Sequence, residues 1–318
     1  MGMATLPAGY ALRRPARGDF DAVYALTTRI ALARHGEADF TRADLLADWQ
    51  GEDFDRERDA WMVTRTDGSL VGYAELWRDD GERVGIGVRV DPEQCGRGIG
   101  SLLRELAEAR AAELGPAAGV TVRQWVPVTD AAACAQLISA GYLVVRRFWR
   151  MHIDVADAPE APVWPQGIAV HTLRRDGDER AVYAALQDAF RDHWGQSVPP
   201  YERWQQREIQ REDFDPSLWF LALPAQEIAG VALCRHHGDM GWVDDLGVRR
   251  AYRRRGLGMA LLRHVFAAFY ARGIRRIGLG VDAGNVTGAT RLYARAGMRV
   301  YRAWDLYDKE LRPRHGAG

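Results

Sequence analysis

The chain has 318 residues, of which 47% are hydrophobic, and carries 43 basic and 43 acidic side chains. That length favours two domains with separate cores, and the zero formal charge excludes the global positive field of a nucleic-acid or anionic-membrane binder. Three widely spaced cysteines form neither a disulfide framework nor a zinc-site pattern. No apolar run reaches the roughly 20 residues of a membrane span, and the first 14 residues have no apolar signal core. We therefore predict a cytoplasmic protein.

In chain order, the first half alternates apolar runs with amphipathic stretches. Thr41 and Asp44 have the spacing of a helix capping box, and Asp19 is a candidate N-cap of an earlier helix. Gly, Pro and Asp residues separate the runs. The predicted strands are 10–14, 60–65, 70–77, 83–90, 119–126 and 142–153, and the predicted helices are 19–33, one from Thr41, 99–109 and 130–140.

The second half repeats this order after a proline-containing stretch. Residues 155–167 hold three prolines and little periodicity, which predicts a stiff, extended linker. A variable, Trp-rich segment, 193–215, follows the first predicted helix of this half. The predicted strands are 168–173, 219–223, 228–234, 240–248, 276–281 and 300–307, and the predicted helices are 178–191, one after Gly258 and 286–296.

Matching landmarks indicate that the chain is a duplication. Gly256 follows Gly98 by 158 residues, and the dipeptides Val71-Gly72 and Ala229-Gly230 are separated by the same distance. Later in each half, Ser139–Tyr142 matches Arg295–Met298 at a separation of 156. Two long repeats are too few for a solenoid. We predict two domains, 1–154 and 168–318, joined by the linker 155–167.

The best-defined motif is the arginine- and glycine-rich loop that precedes the predicted helix after Gly258. Gly256 and Gly258 have no Cβ, so the backbone there can approach a ligand closely. The first N–H groups of the following helix have no internal partner, and the helix dipole favours an anion in front of them. The loop is therefore a candidate cradle for a phosphate or pyrophosphate.

Both halves resemble the GNAT superfamily of N-acetyltransferases. Its signature of Arg or Gln, two residues, Gly, one residue, then Gly or Ala is matched by Arg253, Gly256 and Gly258. Asn285, Tyr293 and Gly297 match the downstream signature. The resemblance implies an α+β fold of two tandem domains, each a twisted, mostly antiparallel sheet flanked by helices, with a splayed cleft for acyl-coenzyme A. The tandem arrangement is similar to that of mycothiol synthase and of enzymes of actinobacterial specialised metabolism.

The first half departs from this pattern. Cys95 stands where Arg or Gln is expected, and Leu137 stands where the second half has Tyr293. The resemblance therefore implies that the first half retains a coenzyme A cradle but lacks the phenol. Its implied cofactor-binding residues are Val88, Val90, Gly96, Arg97, Gly98, Gly100 and Ser101.

In the second half, the resemblance implies that acetyl-CoA is bound by the strand end, the loop and the following helix. The implied cofactor-binding residues are Leu246, Gly247, Val248, Arg253, Arg254, Arg255, Gly256, Leu257, Gly258, Met259 and Asn285. Tyr293 is the candidate general acid, because a phenol with a reference pKa of about 10 remains protonated until a thiolate forms nearby.

Other roles remain alternatives. Strand alternation places Asp244 and Asp245 on opposite faces, and each is either a base for the amine or a salt-bridge partner. His193 and Trp194 are candidates for the acceptor site, although both residue types also occur as structural side chains. The residues show no metal-site spacing. We predict acetyl transfer from acetyl-CoA to a primary amine of a small molecule by direct attack in a ternary complex, in a monomer or homodimer. A non-catalytic or regulatory coenzyme-A-binding protein and mycothiol synthase are the alternatives.

Overall fold

The computed structural model describes residues 5–38, 40–51, 54–80, 83–115, 119–175, 177–195, 199–224 and 227–311. They form two compact units. One contains the described residues up to Val145 together with those from Asp305 onward, and the other is Arg146–Trp304. No helix within these residues is long and apolar enough to cross a membrane.

The first unit is a twisted sheet with helices on both faces. Its strands follow the order β1-β2-β3-β4-β5-β12, antiparallel from β1 to β4 and parallel between β4 and β5. Its elements are β1 (Tyr10–Arg13), α1 (Phe20–His35), α2 (Arg42–Trp49), α3 (Arg56–Asp59), β2 (Ala60–Arg65), β3 (Leu70–Asp80), β4 (Arg83–Val90), α4 (Ile99–Leu114), β5 (Val120–Pro127), α5 (Ala131–Ser139) and the second part of β12 (Arg299–Leu311).

Two apolar clusters stabilise this unit, one on each face of the sheet. One is built around α4 and includes Leu103 and Ile86; the other is built around α1 and α2 and includes Leu26 and Trp49. The predicted capping box of α2 is confirmed: the Thr41 side chain accepts from the Asp44 N–H and the Asp44 carboxylate accepts from the Thr41 N–H. Asp19 does not cap α1; its carboxylate binds Arg13 instead.

The second unit repeats the arrangement. Its strands follow the order β12-β6-β11-β10-β9-β8-β7, and β10 and β11 are the parallel pair. Its elements are β6 (Leu143–Asp154), β7 (Ile168–Thr172), α6 (Glu179–Phe190), α7 (Tyr201–Glu208), β8 (Trp219–Pro224), β9 (Gly230–His237), β10 (Met240–Val248), α8 (Leu257–Ala271), β11 (Arg276–Asp282), α9 (Ala289–Arg295) and the first part of β12.

The unit boundary differs from the predicted domain boundary. The strand expected to close the first domain, β6, pairs through residues 148–154 with β11 of the second unit. In turn, β12 belongs to the second unit up to Trp304 and to the first unit from Asp305. Each unit is thus completed by a strand from the other half of the sequence.

The parallel strands of each unit are paired over a short stretch only. Gly241–Val243 pairs with Ile277–Leu279, whereas β10 continues to Val248. In the first unit, Arg83–Gly85 pairs with Thr121–Arg123, whereas β4 continues to Val90. The unpaired strand ends leave backbone groups available on one side, which is the splay that the resemblance implies.

Candidate active site

A cleft of about 1470 Å³ opens where β10 and β11 separate. It exceeds the roughly 300–1,000 Å³ of typical small-molecule pockets, a size that suits an extended ligand. Its walls are the end of β10, the loop before α8, the first turn of α8, α9, and the facing residues of α6 and α7.

The loop before α8 has the backbone geometry expected of an anion cradle. Gly256 is the N-cap of α8 in the left-handed conformation (φ 85°), and a Cβ built on it meets no atom within 4 Å. No side chain caps this helix, so its first N–H groups have no side-chain partner at Gly256, and the residues that carry them line the cleft. Arg254 also has a positive φ of 60°, which is unusual for a residue other than glycine. These features fit the pyrophosphate of coenzyme A.

The Arg253 side chain holds the loop in place. Its guanidinium donates to the carbonyl oxygens of Val248 (3.1 Å) and Ala189 (2.8 Å) and contacts the Asp192 carboxylate at 3.3 Å. Arg250 also binds Asp192. The motif arginine therefore joins the end of β10 to the end of α6, and the cradle itself is built from backbone groups.

The two aspartates at the splay have different environments. A β-bulge lies between Val243 and Asp245, since Val243 faces Cys234 and Asp245 already faces Leu233. The bulge interrupts the strand alternation from which opposite faces were predicted for the two aspartates. Asp244 pairs with Arg235 at 3.0 Å, whereas the Asp245 carboxylate makes no side-chain hydrogen bond or ion pair within the described residues.

Burial and neighbouring carboxylates raise the pKa values of these aspartates. Burial, with a contribution from Glu208, raises the pKa of Asp245 to about 7. Burial likewise raises the pKa of Asp244, although the Arg235 guanidinium opposes that shift. Asp245 is thus an unpaired carboxyl group that changes charge near neutral pH, which suits a general base.

Tyr293 lies on α9 and lines the same cleft. It is only 7% exposed and packs into the core of the unit. Burial and the charge of Asp245 raise the pKa of its hydroxyl above the ordinary value of 10. The phenol therefore stays protonated at neutral pH, as a general acid requires.

His193 and Trp194 follow α6 and also line the cleft. The His193 Nε2 lies 3.4 Å from the Asn285 Nδ2, and burial lowers the pKa of the imidazole. Trp194 is 39% exposed, with the Arg146 guanidinium 5.4 Å from its ring centroid. Trp204 packs at 5.9 Å from Trp219 as part of a buried cluster.

The Asn285 side chain stabilises the turn that precedes α9. Its Oδ1 accepts hydrogen bonds from the Thr287 N–H (2.9 Å), the Thr287 hydroxyl (2.7 Å) and the Ala289 N–H (3.2 Å). It shapes the turn before α9 and thereby the position of Tyr293. Among the described residues, the cleft wall here consists of Val286, Thr287 and Gly288 instead.

Most of the remaining predicted cofactor-binding residues of the second unit line the cleft, and one of them, Gly247, is also packed closely against α6. All but one line the cleft; Arg255 is exposed, with its guanidinium 5.8 Å from the Tyr252 ring centroid. Gly247 lies against α6, where an added Cβ would approach the Ala189 Cβ at 3.0 Å and the Phe190 ring at 3.2 Å.

Sequence reasoning missed several lining residues. Arg207 and Glu208 come from α7, within the Trp-rich segment, and Arg291 and Arg295 come from α9. The spacing of the two α9 arginines, four residues apart on one helical face, was the available signal. The contribution of α7 depends on long-range packing, which no local pattern revealed.

The first unit keeps the glycine-rich loop and carries an ion pair on the unpaired end of β4. Gly96 and Gly98 have left-handed backbones (φ 78° and 81°), and α4 begins directly after Gly98, as α8 does after Gly256. Between Val88 and Val90, however, the Arg89 side chain binds Glu75, whose carboxylate also accepts from the Tyr73 hydroxyl at 2.8 Å. This register position corresponds to Gly247 in the second unit.

The other predicted residues of the first unit surround its cradle. Arg97 is exposed, and Gly100 and Ser101 lie in the first turn of α4. Gly87 and Leu137 occupy the positions of Asp245 and Tyr293. The first unit thus has an anion cradle without the two ionisable groups of the second.

The fold and the cleft define an acyltransferase of the coenzyme-A-dependent type. The chain belongs to the acetyltransferase (GNAT) family, whose model matches residues 20–135 and 180–298. The predicted family, tandem fold and acyltransferase class are confirmed, and acetyl-CoA is the cofactor of this family.

Among its relatives, mycothiol acetyltransferase of Actinosynnema mirum is 31% identical over 250 residues, which are 77% of this chain and 82% of that protein. The mycothiol acetyltransferase of Salinispora arenicola is 31% identical over 260 residues, covering 78% and 80%. A GCN5-related N-acetyltransferase from Sphaerobacter thermophilus superposes with a TM-score of 0.81 at 35% identity, over 97% of this chain and 98% of that one. A tandem GNAT protein from the clavulanic acid biosynthesis pathway has a TM-score of 0.73 at 16% identity, over 95% and 98%, and supports the fold alone.

Proposed function

We propose that the second unit transfers an acetyl group from acetyl-CoA to a primary amine of a small molecule by direct attack in a ternary complex. One observation carries the proposal. Asp245, a carboxyl group without an ion-pair partner, and Tyr293, a buried phenol, both lie at the point where β10 and β11 separate. Asp245 raises the pKa of Tyr293, so the two groups interact electrostatically.

Three parts of the chain would hold the cofactor. The α8 N-terminus and the loop from Arg253 to Gly256 face the pyrophosphate. Beyond Val243, the side of β10 turned away from β9 has backbone groups available for the pantetheine amides. Bound acetyl-CoA supplies an activated thioester, so no protein nucleophile is required.

The ionisable residues manage protons on the two reacting partners. Asp245, with a pKa of about 7, is ionised in a large fraction of molecules at neutral pH and accepts a proton from the incoming ammonium or amine. Tyr293 keeps its proton and donates it to the departing sulfur. Glu208, which faces Asp245, adds negative charge that attracts a cationic amine to this end of the cleft.

A thiol-release assay with acetyl-CoA and a panel of amines tests the proposal. We expect turnover with at least one amine, and a loss of about 100-fold in kcat for Tyr293→Phe, the range typical of a lost general acid. Tyr270→Phe is the matched control, because Tyr270 lies near the far end of α8 beside Arg275. An unchanged rate in Tyr293→Phe contradicts the acid assignment.

The panel includes the cysteinyl-glucosaminyl-inositol acceptor, because the relatives of this chain are mycothiol acetyltransferases. Turnover of that acceptor alone would support mycothiol synthase activity. Coenzyme A binding without thiol release for any amine would favour the non-catalytic alternative, for which Gly87 and Leu137, at the positions of Asp245 and Tyr293, are the supporting observation in the first unit.

A further inference from the structure

Six arginines of the described chain line the cleft, and they fall into two groups. Three have acidic partners: Arg207 with Glu208, and Arg250 and Arg253 with Asp192. The other three, Arg254, Arg291 and Arg295, are exposed and form no ion pair within the described residues. The chain has as many acidic as basic side chains, so this unbalanced group marks a local positive field.

The unpaired arginines surround the phosphate cradle. Arg254 belongs to the loop before α8. A Cβ on Gly258, in the first turn of α8, would lie 3.2 Å from the Leu292 side chain, so α9 packs directly against that turn. Arg291 immediately precedes Leu292, and Arg295 lies one helical turn further along the same face of α9.

The unpaired arginines of α9 repel each other, and a bound anion would relieve this electrostatic repulsion. Like charges four residues apart on a helix repel each other, and α9 offers neither arginine an acidic neighbour in its own sequence. The backbone N–H groups at the start of α8 suffice for a pyrophosphate. The three guanidinium groups therefore remain available for a second, separate phosphate next to the first.

We propose that Arg291 and Arg295, assisted by Arg254, form a subsite for the 3′-phosphate of coenzyme A, through which the enzyme discriminates coenzyme A from 3′-dephospho-coenzyme A. A phosphate monoester carries nearly two negative charges at neutral pH and accepts charge-assisted hydrogen bonds from guanidinium groups. This inference rests on the proposed use of the cleft for coenzyme A. Arg249 and Arg250 are not part of this subsite, because both are bound to acidic side chains.

Calorimetric titration of the full chain with coenzyme A and with 3′-dephospho-coenzyme A tests the subsite without turnover. We expect the wild type to bind coenzyme A about 10-fold or more tightly at low salt, the gain typical of a charge-assisted contact. In Arg291→Ala/Arg295→Ala this ratio should fall close to one, with the dephospho affinity unchanged. Added salt should reduce the wild-type ratio, because both partners are exposed.

The control is Arg275→Ala, an exposed arginine beside Tyr270 and outside the cleft wall, which should keep the wild-type ratio. Equal affinity of the wild type for both ligands overturns the subsite. So does an equal loss of both affinities in the double variant, since that result indicates a general or structural effect. A protein that binds neither ligand contradicts the proposed function itself, so the two failures are distinguishable.

Discussion

Replacing Asp245 with Asn removes the proposed base while keeping the size of the side chain. Burial and Glu208 raise the pKa of this carboxyl to about 7. The wild-type kcat/KM should therefore rise with pH and level off above about 7, because the free enzyme must be ionised at this residue. In Asp245→Asn we expect this rise of kcat/KM with pH (the acidic limb of the pH profile) to disappear. We also expect kcat/KM at pH 8 to fall by about 100-fold or more.

The same substitution predicts a change in stability with a defined sign. Below pH 4, Asp245 is protonated in both the folded and the unfolded chain, so its raised pKa has no effect. Between pH 4 and 7 the unfolded chain ionises it first, and the free energy of unfolding falls through that window. The difference between 3.8 and about 7 corresponds to about 4 kcal/mol at most. Because the side chain is partly exposed to the cleft, we expect about half of that.

Denaturant titrations of the wild type and of Asp245→Asn at pH 4 and pH 8 measure the contribution of Asp245 to the free energy of unfolding. The variant should match the wild type at pH 4 and exceed it by about 2 kcal/mol at pH 8. Asp244→Asn and His193→Gln serve as controls that should keep the rate limb near 7, since burial lowers the pKa of His193 below 6.5. Loss of the limb in either control, or its retention in Asp245→Asn, would refute the assignment of the base.

Three further substitutions test how the chain positions the cleft. Arg253→Lys keeps the charge but not the fork that reaches two backbone carbonyls, so the KM for acetyl-CoA should rise several-fold at nearly constant kcat in steady-state kinetics. Gly247→Ala forces the Ala189 side chain at 3.0 Å to move, and thermal unfolding should show a loss of about 1–3 kcal/mol. Asn285→Ala should lose about 1 kcal/mol and lower kcat by displacing Tyr293, whereas Asn285→Asp should retain both because it accepts the same hydrogen bonds.

The parts of the fold that depend on local patterns were predictable. The position of α8 followed from apolar spacing after a glycine loop, and the capping box at Thr41 followed from two residues. The exchange of β6 and β12 was not predictable in this way. Both strands follow the predicted order along the chain, and only their long-range partners show to which unit they belong.

The candidate site also has parts that local motifs predict and parts that depend on long-range packing. Motif spacing selected Gly256 and Tyr293, and both line the cleft, because their positions depend on a short stretch of chain. It did not show that the Arg253 guanidinium reaches the carbonyl of Ala189, 64 residues earlier, or that Asn285 shapes a turn. Such partners are set by which helices pack together, so residue type alone left structural and binding roles equally open.

One inserted residue explains much of the chemical difference between the two units. In the first unit, Ile86 faces Leu76 and Gly87 faces Glu75 without interruption. In the second, Val243 faces Cys234 and Asp245 faces Leu233, so Asp244 is the additional residue of a bulge. The chain from Cys234 to Val243 is one residue shorter than from Leu76 to Ile86, and the bulge restores the common separation of 158.

The shorter segment before Val243 and the extra residue Asp244 cancel each other in the residue count. An alignment of the two repeats at a constant separation of 158 residues therefore places Asp244 opposite Ile86 and conceals the bulge. A bulge changes the direction of the side chains around it and ends regular pairing, and here it coincides with the last paired residue between β10 and β11, Val243. The parallel strands of the first unit separate at the equivalent place without a bulge, so the insertion accounts for the two carboxyl groups at the edge of the cleft and not for the separation of the strands. The first unit, with an uninterrupted register at Ile86 and Gly87 and with Arg89 bound to Glu75, keeps the glycine-rich loop without the two carboxyl groups of the second.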